Sequence, residues 1–321
     1  MIGGHYEASS QQAPRGSAFG ARFALSRLTT QNLRGGVRIF TRPLPLFLAL
    51  LCAFSGAAYA LVVHSHHESA ALSRFTMWFP GFAALCTCLL LHIPLGTLGW
   101  GWPPRRFLKL AYFLPLIYAA PIYLLTWLAI RGSFSLKGFE ATMAGIYGLE
   151  RWPALGTFGV ALPLLFTITV IGTAVWTRGE ELGWRGFLFP KLQQRFGFHG
   201  ACLISGVIWA AWHFPELLWA DYNAGTNAVF AIACFTVMVV AMAYIMGYLR
   251  VRSSSIWPCV LIHATHNSLV QGIFDPLTVP VGWAKYITTE FGVGLALSIV
   301  VAATITVSTG SSGEGPSPVE R

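Results

Sequence analysis

The chain has 321 residues, of which 55% are hydrophobic and only 10% charged, with a mean hydropathy of +0.60 and a formal net charge of +9. A soluble domain carries about 25% charged residues, so a water-facing globule is excluded and most of this surface faces lipid. All six cysteines (Cys52, Cys86, Cys88, Cys202, Cys234 and Cys259) fall inside apolar runs at no zinc-ribbon or redox spacing. They read as small buried hydrophobes and imply no disulfide framework.

Residues 1–42 are rich in Ser, Gly, Gln and Arg, poor in acid, and lack a strong apolar core. They read as a basic disordered cytoplasmic tail, with a targeting peptide as the alternative. Crossing ~30 Å of hydrocarbon takes roughly 20 apolar residues. Eight runs qualify: 44–63, 75–96, 110–130, 155–176, 199–219, 227–249, 254–273 and 287–307. The expected fold class is therefore all-α, a polytopic transmembrane helix bundle of about eight helices filling residues 43–308. The longest outer loop, 131–154, contains "GFEATMAGIYGL", which reads as a short interfacial helix. Residues 309–321, rich in Gly, Ser and Pro, read as a disordered tail.

The basic residues sort by side. Six arginines precede the first run; Arg105, Arg106 and Lys109 follow the second; Arg178, Arg185, Lys191 and Arg195 the fourth; Arg250 and Arg252 the sixth. With Arg321 that is 16 of the 21 basic residues, leaving Arg74, Arg131, Lys137, Arg151 and Lys285 for the other face. This positive-inside pattern predicts a multi-pass protein of the cell membrane with both termini cytoplasmic. It also accounts for the basic charge without a nucleic-acid partner.

Ionisable residues inside such a bundle are functional hypotheses by default, because each costs ~2.5–3.5 kcal/mol even on the lenient insertion scale. In "GEELGWRGFLFPKL", Glu181 and Arg185 are four apart with the acid first, the favourable order for a helical pair. Glu180 is rotated by ~100° from Glu181, so it cannot share that arginine equally. One carboxylate is neutralised and its neighbour is free; the plain alternative is two glutamates at a wet helix end. In "WAAWHFP", His213 follows Trp209 by one turn, as a core histidine or a catalyst. In "IHATHNSL", His263 and Asn267 project from one helix face. They suit either a developing oxyanion or helix-to-helix hydrogen bonding, while His266 lies to the flank as a spare.

Taken together, these residues resemble the CAAX-processing and bacteriocin-processing (CPBP) family of intramembrane proteases, related to type II CAAX prenyl endopeptidases. The motifs run in order across 176–270: Glu-Glu-x-x-x-Arg at Glu180, Glu181 and Arg185; aromatic-x-x-x-His at Trp209 and His213; His-x-x-x-Asn at His263 and Asn267. The second motif departs from the family, where phenylalanine usually stands in place of Trp209. The resemblance implies peptide-bond hydrolysis in a membrane-associated protein or peptide substrate. Glu180 would activate water, His213 would position it, and His263 with Asn267 would hold the oxyanion. Glu181 and Arg185 would be the supporting pair, since a carboxylate held by arginine is too weak a base. No cofactor is favoured; the alternative is a zinc site on Glu180, His213 and His263. The rival classes are a proton-coupled transporter and a non-catalytic scaffold or immunity protein of the same fold.

Overall fold

The computed structural model describes residues 42–65, 70–149, 153–220 and 222–311. The tails expected at 1–42 and 309–321 lie almost entirely outside the described residues, and so does part of the 64–74 loop. Each of the eight apolar runs is helical. The first is α1 (Pro43–Ser65). The second differs from the single span expected: it breaks at Met77 and Trp78 into α2 (Ala70–Thr76) and α3 (Phe79–Leu90), with Pro80 setting the first turn of α3. Proline at that position loses no helical hydrogen bond, which is why it starts helices well. Then come α4 (Arg105–Ala129) and α5 (Leu136–Tyr147), the latter the expected outer helix, capped by Ser135.

The centre of the chain is a 64-residue apolar helical stretch, Gly156–Trp219. It comprises α6 (Ala154–Leu164), a π-helical turn (Leu165–Thr169), α7 (Val170–Glu181), a second π turn (Leu182–Leu188), α8 (Phe189–Trp212) and α9 (Phe214–Trp219). A straight helix would put Glu180 and Trp209 about 44 Å apart at 1.5 Å per residue, yet their side chains are 2.8 Å apart. The chain doubles back at Gly197, whose φ of 69° lies in the left-handed region open to glycine. The remaining helices are α10 (Ala228–Ser253), α11 (Trp257–Leu269, continued by a π turn to Phe274), α12 (Ala284–Ile287) and α13 (Val293–Ser311).

The described residues from Pro43 onward form one compact unit. In it α8 packs along α10, α10 along α13, and α11 against both α7 and α4. Four helical stretches among the described residues are long and apolar enough by themselves to cross a membrane: Pro43–His64, Arg105–Ala129, Gly156–Trp219, which doubles back, and Ala228–Ser253. Large apolar side chains point outward around the bundle; Leu128, Val229 and Ile171 are 84, 76 and 69% exposed. Such a belt suits lipid and is too extensive for water. Cys52 belongs to this outward surface, which corrects its reading as a buried hydrophobe; Cys88, Cys202, Cys234 and Cys259 are buried, Cys86 partly so, and all six are free thiols.

Candidate active site

Glycine spacing explains how two glutamates come to lie inside the bundle. Gly179 and Gly183 are four apart on one face of the helical path and press against the α2–α3 break. A Cβ on Gly179 would lie 2.7 Å from the Met77 carbonyl oxygen, and one on Gly183 would lie 2.4 Å from Pro80 Cβ. Gly81 answers from α3, where a Cβ would meet the Gly179 carbonyl oxygen at 2.6 Å. Small residues at this spacing let helix backbones touch, and the intervening acids turn toward the interior. Residues 179–189 are buried without a break.

Glu181 is the hub of one network. Arg185 Nη1 donates to both of its oxygens at 3.1 Å, and His263 Nδ1 donates to Oε1 at 2.9 Å. The Arg185 guanidinium lies over the Trp209 ring, 4.2 Å from its centroid. An ion pair this deep survives its desolvation cost only when further hydrogen bonds and a favourable lining compensate it. From the other side, Arg250 Nε donates to the Arg185 carbonyl at 3.1 Å.

Glu180 has no cationic partner among the described residues. Its Oε2 accepts from two indoles, Trp209 Nε1 at 2.8 Å and Trp184 Nε1 at 3.2 Å. Two neutral donors orient the carboxylate and leave Oε1 for a ligand. Trp209 makes a ring contact across helices. Its ring meets His263 edge-on at 5.3 Å, whereas His213 is flanked by Trp212 at 4.7 Å and Phe235 at 5.3 Å. The departure from phenylalanine therefore adds a donor that phenylalanine lacks.

His213 closes α8 at the point where Pro215 interrupts the helix and starts α9. Its Nδ1 donates to Glu216 Oε2 at 3.0 Å, within the sequence "HFPE". His213 and His263 are thus held alike: a carboxylate takes the Nδ1 proton and fixes the tautomer, so the neutral ring presents Nε2 as a lone pair. The Asn267 side chain has no hydrogen-bond partner among the described residues. His266, expected as a spare, is engaged on both nitrogens, with Tyr118 at 2.8 Å and Glu290 at 3.1 Å. Glu290 also accepts from Tyr222 and Gln271.

Glu180, Trp209, His213, His263 and Asn267 line one cavity of about 400 Å³, with Glu216, His266 and Glu290 further along its wall. Among the described residues, no three His, Cys, Asp or Glu side chains are grouped closely enough to hold a metal ion, the expected alternative set of Glu180, His213 and His263 included. Sequence reasoning missed Trp184, Glu216 and Glu290. The first two carried a signal, one four residues after Glu180 and the other three after His213. Glu290 carried none, because it comes from a different segment, 24 residues beyond His266.

Residues 157–269, which include every motif position above, match the family model described as type II CAAX prenyl endopeptidase Rce1-like. CAAX prenyl protease 2 of Methanococcus maripaludis is 27% identical over 110 residues, 33% of this chain and 39% of that protein, so the match spans well under half of either. Through this segment and the motifs it holds, the chain, a multi-pass membrane protein by its apolar helices, is similar to the type II CAAX prenyl endopeptidases.

Proposed function

We propose that the protein is an intramembrane endopeptidase that hydrolyses a peptide bond in a membrane-associated protein or peptide, without a metal cofactor. The observation that carries this reading is the set of uncommitted polar atoms around one cavity: Glu180 Oε1, His213 Nε2, His263 Nε2 and the Asn267 amide. A water molecule has two protons to give. With one directed at Glu180 and the other at His213 Nε2, its lone pair faces the substrate carbonyl, and Glu180 takes the proton as the bond forms. The Asn267 amide donates to the resulting oxyanion; as that intermediate collapses the C–N bond breaks and Glu180 returns its proton to the leaving amine. His263, its Nδ1–H committed to Glu181, lines the same cavity. Glu181 and Arg185 thus support the site by holding His263.

The protein resides in the cell membrane with both termini in the cytoplasm, on the strength of the basic-residue asymmetry. Its substrates reach the site from the bilayer surface, and nucleic acid plays no part. The test is hydrolysis of a peptide library by purified protein in detergent, beside Glu180→Gln and with a strong chelator. Glu180-dependent cleavage that survives chelation is expected. Loss on chelation restored by zinc would replace the mechanism with a metal site on Glu180, His213 and His263. No cleavage at all would leave a scaffold or a transporter.

A further inference from the structure

Away from the cavity, the connection 91–104 and the start of α4 form a surface of their own. Trp100 and Trp102 are 38 and 73% exposed there, and Leu95 is 40% exposed. The aromatic part is held in place: Trp100 Nε1 donates to the Leu95 carbonyl and Trp257 Nε1 to the Trp100 carbonyl, both at 3.0 Å. The Trp102 and Trp257 rings lie 6.0 Å apart. Arg105, Arg106 and Lys109 follow at once on α4, all exposed, with Phe107 buried. At 100° per residue the three cations fall within a ~100° arc, and Phe107 points away from it. No acid opposes them locally. In the connections that carry the basic excess, 91–109, 178–198 and 250–257, the acids are Glu180 and Glu181, and both are buried.

The place of this surface along α4 says what it meets. Arg105 precedes the apolar run 110–130 by five residues, ~7.5 Å of helix at 1.5 Å per residue. The polar layer of a bilayer adds roughly 5–7 Å on each side of its ~30 Å core. The three cations therefore stand at headgroup depth, beside indoles whose rings favour the same layer. We infer that residues 95–109 bind anionic phospholipid of the surrounding bilayer, with its phosphate on Arg105, Arg106 and Lys109 and its upper acyl chain against Trp100 and Trp102. Charge selects the headgroup. A zwitterionic lipid brings a cation of its own to a surface that is already cationic, whereas an anionic lipid brings none.

The test needs no turnover, so it stands apart from the peptidase reading. Full-length protein is reconstituted into phosphatidylcholine nanodiscs, and brominated phosphatidylglycerol or brominated phosphatidylcholine is mixed in at equal fractions to quench tryptophan fluorescence. The anionic lipid is expected to bind at least about fivefold more tightly, the weight of one basic residue near an anionic surface. Arg105→Gln, Arg106→Gln and Lys109→Gln made together should erase that preference and leave thermal unfolding in phosphatidylcholine unmoved. Should the triple variant not fold, the wild-type protein decides, because the preference of an exposed cationic surface must fall as salt shortens the Debye length. Equal quenching by the two lipids overturns the inference, and so does a preference that persists in the glutamine variant or in high salt. Loss of the preference on adding soluble glycerol phosphate would make this a site for free phosphate and overturns its assignment to the bilayer.

Discussion

His263 and His266 sit three residues apart on α11, each bonded to a buried glutamate, yet they belong to regions built for opposite purposes. Around His263 the polar atoms are half used: one ring nitrogen on Glu181, one oxygen of Glu180 on two indoles, the Asn267 amide on nothing among the described residues. Around His266 both nitrogens are taken, and Glu290 collects His266, Tyr222 and Gln271. A fully satisfied buried network rigidifies its surroundings. An open polar atom in the same environment costs free energy, so its persistence points to a ligand. The difference between structural and chemical polarity here is the number of uncommitted atoms, not the residue types.

Substitutions can break or sharpen that contrast. The largest effect is expected for Glu180→Gln, which keeps shape and removes the proposed base: turnover should fall by up to ~10⁴-fold, the upper end for positioned proton transfer, with thermal unfolding in detergent nearly unmoved. Undiminished activity would erase the chemical half of the contrast. Arg185→Ala should instead cost stability, roughly 3–5 kcal/mol for a buried charge deprived of its partner, read as a shift in denaturant midpoint. A well-folded but inactive Arg185→Ala protein would give the arginine a direct role. Asn267→Ala removes the proposed oxyanion donor and should lower kcat by ~10²–10³ at nearly constant KM, since the bond strengthens only in the transition state.

Smaller effects are expected from the closed region and from the motif departure. Glu290→Gln should destabilise by ~1–3 kcal/mol through poorly satisfied donors, leaving the kcat of folded protein intact. A fall in kcat at unchanged stability would move the outer cluster into the reaction. Trp209→Phe installs the residue usual in the family and keeps a ring under Arg185, but deletes one donor to Glu180. About a tenfold loss in kcat/KM is expected, the lower end for a hydrogen bond to a charged group. No change would mean that Trp184 alone suffices to orient the carboxylate.

Much of the fold was legible because lipid imposes length and composition on helices, so the eight apolar runs and the outer helix at 136–147 could be read directly. The break at Met77–Trp78 could not, since hydropathy does not register a change of direction. Within the site, local spacing was readable where partners share a helix: Glu181 with Arg185, His263 with Asn267. Spacing also held signals that went unread, in Gly179 and Gly183 flanking the acids, and in Glu216 behind His213. What no local pattern encodes is pairing across helices. Glu181 meeting His263, Trp209 meeting Glu180, and His266 meeting Glu290 are separated by 82, 29 and 24 residues. Such contacts depend on how helices are rotated against one another.

The unbroken burial of residues 179–189 bears on the supply of the second reactant. The proposed reaction consumes a water molecule at every turnover, and residues 179–189 beside Glu180 are buried throughout. On that reading water and peptide share the cavity that Glu180 lines. A segment long enough to fill that cavity shuts off its own hydration, so its cleavage draws on water already trapped inside, and each product must leave before the site can be wetted again. Short peptides, which leave a gap beside them, should therefore turn over faster than long ones of the same sequence around the scissile bond.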